Sequence, residues 1–503
     1  MRGIDTSITE IRRKIFTEVA RMAYEGGDYA KKIEQLPFKI IPGETASYRD
    51  SVFLERAIVG ERLRLAIGLP VRSAAESAPI SDGIEESAIA SKYYDPPLVN
   101  IIKFACHACP EKRVYVTDGC QGCLAHPCQE VCPKDAITIS GGRSHIDPDK
   151  CIRCGRCADA CSYHAIIKQE RPCASACGMN AISSDELGRA QIDYDKCVSC
   201  GQCLVTCPFG AISDKGQIFQ LIHAMKAGER VYAAVAPAFV GQFGPKITPE
   251  KLRAAIKALG FADVIEVAVG ADLCAVSEAK EFVEQVPNTI PFMGTSCCPA
   301  WSVMAKKNFP QYQDCISMTL TPMVLTGRLI KKQHPNAKVA FIGPCSAKKL
   351  EASRRTVRSD VDFVLTFEEM MGLFEAKNID MASIQEEPVL SETSTDGRNF
   401  AVSGGVAKAV VNCVNEMYPG REVKVVSAQG LADCRKMLQL AKAGKYNGYL
   451  LEGMACPGGC VAGPGTMQPI NKSTAAVNMY ARKAVNEYAT TTEYLPELEK
   501  LEE

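Results

Sequence analysis

"CVSCGQCLVTCP", residues 197–208, spaces four cysteines as C-x2-C-x2-C-x3-C and follows the last with proline. Three thiols this close together can wrap three corners of one iron–sulfur cubane, while the chain turns the fourth away toward a neighbouring cluster. A structural zinc site is built differently, from two C-x2-C knuckles. Each such run therefore predicts half of a two-cluster unit, and the remaining halves should lie elsewhere in the chain.

Cys151, Cys154, Cys157 and Cys161 repeat the run without the proline, and Cys120, Cys123, Cys128 and Cys132 give a looser C-x2-C-x4-C-x3-C-P. The string Cys-x3-Ala-Ile occurs four times, at Cys132, Cys161, Cys177 and Cys207, which marks four half-units of one repeated fold. Sixteen of the 25 cysteines fall between Cys106 and Cys207. The start, "MRGIDTSITEIRRKIF", has no apolar export core, so metal binding explains these cysteines better than disulfides, and a cytoplasmic location is expected.

Ligand crossing between half-units assigns [4Fe–4S] clusters. One is expected at Cys120, Cys123, Cys128 and Cys161, and a second at Cys151, Cys154, Cys157 and Cys132. A third takes Cys197, Cys200, Cys203 and Cys177. Cys106, Cys109, Cys173 and Cys207 are left over and make a fourth. The alternatives are three clusters with Cys106 and Cys109 as buried thiols, or a ligand role for His107 or His126.

At 503 residues the chain has room for about three domains. Lys+Arg and Asp+Glu balance at 58 each, which gives no reason to expect nucleic acid or an anionic membrane as partner. The longest uncharged run, 285–305, contains three prolines and is not a membrane span. Residues 1–100 carry helical periodicity in "ITEIRRKIFTEVARMAYE" and "VFLERAIVGERLRLAI", then a Ser-, Ala- and Pro-rich linker over 73–97. They read as a helical docking or oligomerisation segment. Residues 101–215 form the cluster block.

From 216 to 503 the pattern changes. "RVYAAVAPA", "ADVIEVAVG", "NTIPFMG", "AKVAFIG", "VDFVLTF", "REVKVVSA" and "YNGYLLEG" are short β-rich runs, most of them separated by segments long enough for helices. This alternation predicts an α/β domain with parallel sheets, beside an α+β iron–sulfur domain and a helical N-terminal segment. Several runs end at a cysteine or glycine motif, where open α/β sheets place ligand chemistry.

Three motifs in this region do not belong to a ferredoxin: "TSCCPAW" at 295–301, "GPCSAKKLE" at 343–351 and "EGMACPGGCVAGPG" at 452–465. Together they closely resemble the three signature motifs of the [FeFe]-hydrogenases, and with the ferredoxin-like block the resemblance covers roughly residues 101–480. The helical start, the "TSCCPAW" form and the missing NADH-binding signature resemble the monomeric, ferredoxin-linked group B branch.

The resemblance implies two lobes with parallel sheets around a buried metal site. That site would be an H-cluster, a [4Fe–4S] cubane linked to a two-iron subsite with CO, CN and azadithiolate. Its implied ligands are Cys298, Cys345, Cys456 and Cys460, with Cys460 bridging to the two-iron unit, and Cys297 is the implied proton donor to the bridge. The implied proton route runs from Cys297 through a water to Glu278, Ser317, Glu281 and solvent. Glu278 and Glu281 share a helical face at i, i+3 spacing, a pattern that on its own would mean a solvated surface. Lys348 is implied to hold one cyanide, Ala236, Pro237 and Ala238 to face the other, and Met454 to lie near the bridging CO. The implied partners are H2, protons, ferredoxin or a similar carrier, and the maturation proteins that supply the two-iron unit.

The chain departs from the family pattern at Gly343, in "LTPMV" around Pro322, in "GPGTMQP" and in "SGGVAKAV" from Ser403. These changes bear on rate, bias and oxygen tolerance rather than on the ligand set. Cys274, Cys315, Cys413 and Cys434 lie outside every motif and read as buried small hydrophobes, with Cys274 close to the implied proton route. Rival readings are a non-catalytic relative of the iron–sulfur assembly type, an H2 sensor and a plain polyferredoxin.

Overall fold

The structure, a computed structural model, describes residues 3–73, 75–89, 96–388 and 392–502. The four Cys-x3-Ala-Ile strings adopt one local geometry. The residue before each alanine, Asp135, His164, Asn180 or Gly210, has φ of 47°, 51°, 52° or 57°. This left-handed step turns the chain so that the N–H of Ala136, Ala165, Ala181 or Ala211 donates to the sulfur of Cys132, Cys161, Cys177 or Cys207 at 3.3–3.4 Å. Each alanine is buried, and the isoleucine after it opens a strand. A second positive φ falls two residues after the first cysteine of each half-unit, at Ala108, Gly122, Arg153 and Ser199.

Strand pairing shows why one half-unit looks degenerate in sequence. The hairpin Ile137–Ser140 with Arg143–Ile146 is flanked by the antiparallel pair Arg113–Val116 and Ile166–Gln169. A second hairpin, Ile182–Ser184 with Ala190–Ile192, belongs with the outer pair Val99–Ile101 and Ile212–Asp214. The first two-cluster unit is thus inserted between Cys109 and Cys173 of the second, splitting that unit's first cysteine run.

All seven β-rich runs of the third region contain strands, arranged in two parallel sheets. One sheet has the order Asp263–Glu266, Val231–Val235, Lys338–Gly343, Phe363–Thr366. The other has Met293–Gly294, Tyr449–Met454, Lys424–Gln429. Two runs are shorter than their composition implied. "NTIPFMG" pairs over only two residues, since Pro291 in its middle supplies no ladder N–H. In "ADVIEVAVG" the strand stops at Glu266 and the helix Ala268–Gln285 begins.

The N-terminal helices Ser7–Glu25, Tyr29–Ile40 and Val52–Ala66 pack within the chain, in one apolar core with Phe219, Val231 and Phe367. A Cβ on Gly372 would lie 2.5 Å from that of Phe16, so helix Phe367–Ala376 seats directly on helix Ser7–Glu25. Within 73–97, read from sequence as a linker, Ile84–Ser87 is a short helix, and Gln220 donates to Ser87 O at 3.0 Å. Residues 74 and 90–95 of that stretch lie outside the described residues. Among the described residues no helix is long and apolar enough to cross a membrane.

Candidate metal centre

The carboxyl ends of both sheets open onto one cavity of about 80 Å³. Strand Val231–Val235 delivers Ala236, Pro237 and Ala238, and strand Lys338–Gly343 delivers Cys345. Met293–Gly294 leads to Cys297 and Cys298, and strand Tyr449–Met454 to Met454, Cys456 and Cys460. The close approach of the three motifs depends on missing side chains. Trp301, fully buried, donates its indole N–H to Thr295 O at 3.0 Å and covers Gly453, where a Cβ would lie 2.1 Å from the ring. A Cβ on Gly463 would lie 2.4 Å from Pro344 O.

Cys298, Cys345, Cys456 and Cys460 therefore face one space. Burial raises all four thiols, and at Cys345, Cys456 and Cys460 the charge of neighbouring cysteines adds to it, to about 11 for Cys345 and about 12 for Cys460. Four such groups do not ionise unaided, whereas an iron core that binds thiolates offsets the cost. Among the described residues no three His, Cys, Asp or Glu side chains close on a point fit for a single ion. The sulfurs ring a cavity instead, as a multi-iron cluster requires.

On one side of the cavity lies a proton-active group. Glu278, fully buried on helix Ala268–Gln285, accepts from Ser296 N at 2.6 Å and Ser296 Oγ at 2.9 Å, and its Oε2 has no partner. Burial, reinforced by Glu281 and Glu452, pushes it up to about 7, where a carboxyl exchanges protons near neutrality. The Cys297 thiol is raised by burial and then by Glu278. Further out, Ser317 Oγ donates to Glu281 Oε2, as does Thr319 Oγ1 at 3.1 Å, beside the exposed Met318. Glu278, however, takes its hydrogen bonds from Ser296 rather than Ser317. Ser296 was missed in the sequence, although it precedes the Cys297–Cys298 pair.

Lys348 also lines the cavity. Its ammonium pairs with Glu351 at 2.7 Å and donates to Thr321 Oγ1 at 3.2 Å. Burial opposes this charge, but Glu351 and then Cys345 and Cys297 outweigh it and hold the pKa above the ordinary value. Thr321 and Glu351 carried no sequence signal of their own.

The cluster block meets this centre directly. Cys200 lines the same cavity, Gln202 Nε2 donates to Cys456 Sγ at 3.0 Å, and a Cβ on Gly201 would lie 2.7 Å from Pro464. Cys120, Cys123, Cys128 and Cys161 line one smaller cavity, and Cys106, Cys109, Cys173 and Cys207 another. Cys132, Cys151 and Cys157 share an apolar cluster with Cys128 and Cys161, and Cys154 is the one exposed cysteine of the 25. Cys203 is raised by burial and then by Cys200, Cys197, Cys177 and Cys173. Cys274, Cys315, Cys413 and Cys434 are buried, and Cys274 contacts Ser296.

Glu278 and Asp272 make protein without bound clusters pH-sensitive. Burial raises Asp272 from 3.8 to about 7 and Glu278 from 4.5 to about 7. Both bind their proton more tightly folded than unfolded, so their contribution is full below the unfolded values and is lost as pH rises through about 7. Urea unfolding midpoints should fall over that window. Glu278→Gln and Asp272→Asn should each flatten part of the slope.

Residues 229–464 match the iron only hydrogenase large subunit, C-terminal domain, and residues 112–162 and 150–211 each match a 4Fe-4S dicluster domain. Iron hydrogenase 1 of Clostridium pasteurianum is 29% identical over 387 residues, covering 66% of this chain and 67% of that protein. The NADP-reducing hydrogenase subunit HndD of Solidesulfovibrio fructosivorans is 29% identical over 301 residues, 50% of each chain. The cytosolic iron-sulfur assembly component 3 of Bos taurus is 26% identical over 280 residues, 45% of this chain and 59% of its own. The chain thus spans from 50% to 67% of the length of these relatives. It carries a hydrogenase-like domain joined to iron–sulfur domains, and it is similar to hydrogenases and to an assembly component alike.

Proposed function

We propose, starting from a hydrogenase-type C-terminal domain joined to iron–sulfur domains, that this chain interconverts H2 with protons and electrons at an H-cluster. Electrons pass through four accessory [4Fe–4S] clusters to or from ferredoxin or a similar small carrier. The enzyme belongs to the monomeric group B branch and works in the cytoplasm once maturation proteins have installed the two-iron unit. The observation that carries this reading is the convergence on one cavity of four cysteine ligands, the extra thiol Cys297 backed by buried Glu278, and the charged Lys348.

Cys298, Cys345, Cys456 and Cys460 would hold the H-cluster, which when bound would supply the redox chemistry for H2. The chain does the rest. The Cys297 sulfur receives and returns the proton, since a thiol both donates and accepts. Glu278, with a free Oε2 and a pKa of about 7, takes it next. Ser317 and Glu281 carry it to the surface beside Met318. Lys348 offers N–H donors to an anionic ligand in a setting that strengthens charge-assisted bonds. Ala236, Pro237, Ala238 and Met454 keep the opposite wall apolar and exclude water. Gln202 steadies Cys456 where the wire meets the site.

An assembly-type protein needs the four cysteines but has no use for Cys297, Glu278 or Lys348, and their convergence favours the enzyme. The test is infrared spectroscopy with iron analysis after maturation. CO and CN bands and about 22 irons per chain are expected, four accessory cubanes plus six irons in the H-cluster. A matured protein without diatomic bands would overturn the enzymatic reading, and a count of about 18 would remove one accessory cluster.

A further inference from the structure

Resting on the four-cluster reading above, we propose that Arg62 is the built-in counter-charge of the cubane at Cys106, Cys109, Cys173 and Cys207. With Arg49 and Arg171 it holds that cubane at a higher reduction potential than the cubane at Cys120, Cys123, Cys128 and Cys161. The N-terminal helices thereby become an electrostatic part of the electron wire.

Helix Val52–Ala66 buries four charged residues, and three are satisfied by ordinary partners. Glu55 accepts from the N–H groups of Ser47, Tyr48 and Arg49, Glu61 pairs with Arg72, and Arg64 donates to the carbonyls of Pro70, Ile80 and Asp82. Arg62 differs. It is 5% exposed, its terminal nitrogen donates to Gly210 O, and its Nε and Nη1 have no partner. Among the described residues no carboxylate forms an ion pair with it; Arg12 opposes its charge, and Tyr48, Cys207 and then Glu368, itself paired with Arg12, favour it only in part. Burial pulls it down to about 10, so it stays charged at neutral pH.

A buried, uncompensated cation is expensive unless an anion sits nearby. A cubane held by four thiolates is such an anion, and Cys207 lies three residues before Gly210. The sequence makes room for this contact. At the left-handed step of the repeat the other half-units have Asp135, His164 and Asn180, whereas this one has Gly210, where a Cβ would lie 2.5 Å from the Arg62 guanidinium.

Two more guanidiniums hold the same ligand loops. Arg49 donates to Phe209 O at 2.8 Å and Ala105 O at 3.2 Å. Arg171, 4% exposed, donates to Cys109 O at 2.9 Å. Near the cavity of Cys120, Cys123, Cys128 and Cys161, by contrast, Arg143 is neutralised by exposed Asp118. Reduction adds one negative charge to a cubane, so nearby fixed cations favour the reduced form.

An EPR-monitored redox titration of cluster-loaded protein, which needs no two-iron unit, tests this. In the parent protein this cubane should reduce ahead of the one at Cys120, Cys123, Cys128 and Cys161. Arg62→Met should lower its reduction equilibrium at least about tenfold, equivalent to about 59 mV for one electron, while Arg62→Lys keeps it and the other midpoints stay put. If Arg62→Met loses one cubane, about 16 irons instead of about 20, and Arg62→Lys retains it, charge is again the property required. Unmoved midpoints at full iron content, or loss of the cubane in both variants, would overturn the proposal. A parent count of about 16 irons would instead refute the four-cluster reading on which it rests.

Discussion

Cys297→Ala protein, fully matured, should turn over H2 about 10²–10⁴-fold more slowly than the parent while its CO and CN infrared bands stay in place. The range is that of a positioned proton donor and acceptor removed from the reacting centre. The bands should survive because Cys297 is not among the four cysteines assigned to the metal; its neighbour Cys298 is, and Cys298 accepts from Ala455 N at 3.5 Å in the parent. Alanine leaves the cavity wall intact but gives the proton nothing to land on before Glu278. A stepwise control follows from the geometry. Glu281→Gln keeps the contact with Ser317 but removes the outlet carboxylate, and should slow turnover while leaving Cys297 and Glu278 untouched. Full activity in Cys297→Ala would remove the thiol from the proton route.

The second large effect concerns the seam between the cluster block and the catalytic domain. Lys349 has no exposed surface, pairs with Asp214 at 2.9 Å and Glu369 at 3.1 Å, and donates to Lys215 O at 2.8 Å. Asp214 closes the last strand of the cluster block and also accepts from Ser346 Oγ, next to Cys345. Glu369 completes the capping box of helix Phe367–Ala376. Lys349→Met strands two buried carboxylates and should cost about 3–5 kcal/mol, read as a lower urea midpoint of the cluster-loaded protein. Lys436→Met, which breaks an exposed pair with Asp433, should cost well under about 1 kcal/mol. Equal midpoints for the two variants would mean that the seam is not held by this ion cluster. Because Asp214 holds Ser346, the residue next to Cys345, the same variant should also weaken iron retention at the candidate metal site.

Much of this was legible in the residues. The three-plus-one cysteine runs announce cubanes because ligand spacing is local chemistry, set within a dozen residues. The Cys-x3-Ala-Ile repeat exposed four half-units because one turn, one N–H···S bond and one buried alanine recur in each. The β-rich runs announced parallel sheets, and their ends carried the motifs. Less legible was anything that depends on which segments meet. "NTIPFMG" has the composition of a strand but only two of its residues pair, because Pro291 interrupts the ladder. The stretch over 73–97 has the composition of a linker, yet Ser87 is anchored by Gln220, far away in sequence.

On its own, then, the sequence determined the repeat and the fold class, since these follow from spacing and periodicity along a continuous chain. Tertiary structure decided the insertion of one two-cluster unit within the other, the role of Ser296 in place of Ser317 as partner of Glu278, and the burial of Arg62 and Lys349 without water to screen them. The physical reason is that a hydrogen bond or an uncompensated charge depends on distance and desolvation. Both are settled only when segments as remote as helix Val52–Ala66 and the Cys207 loop close on each other.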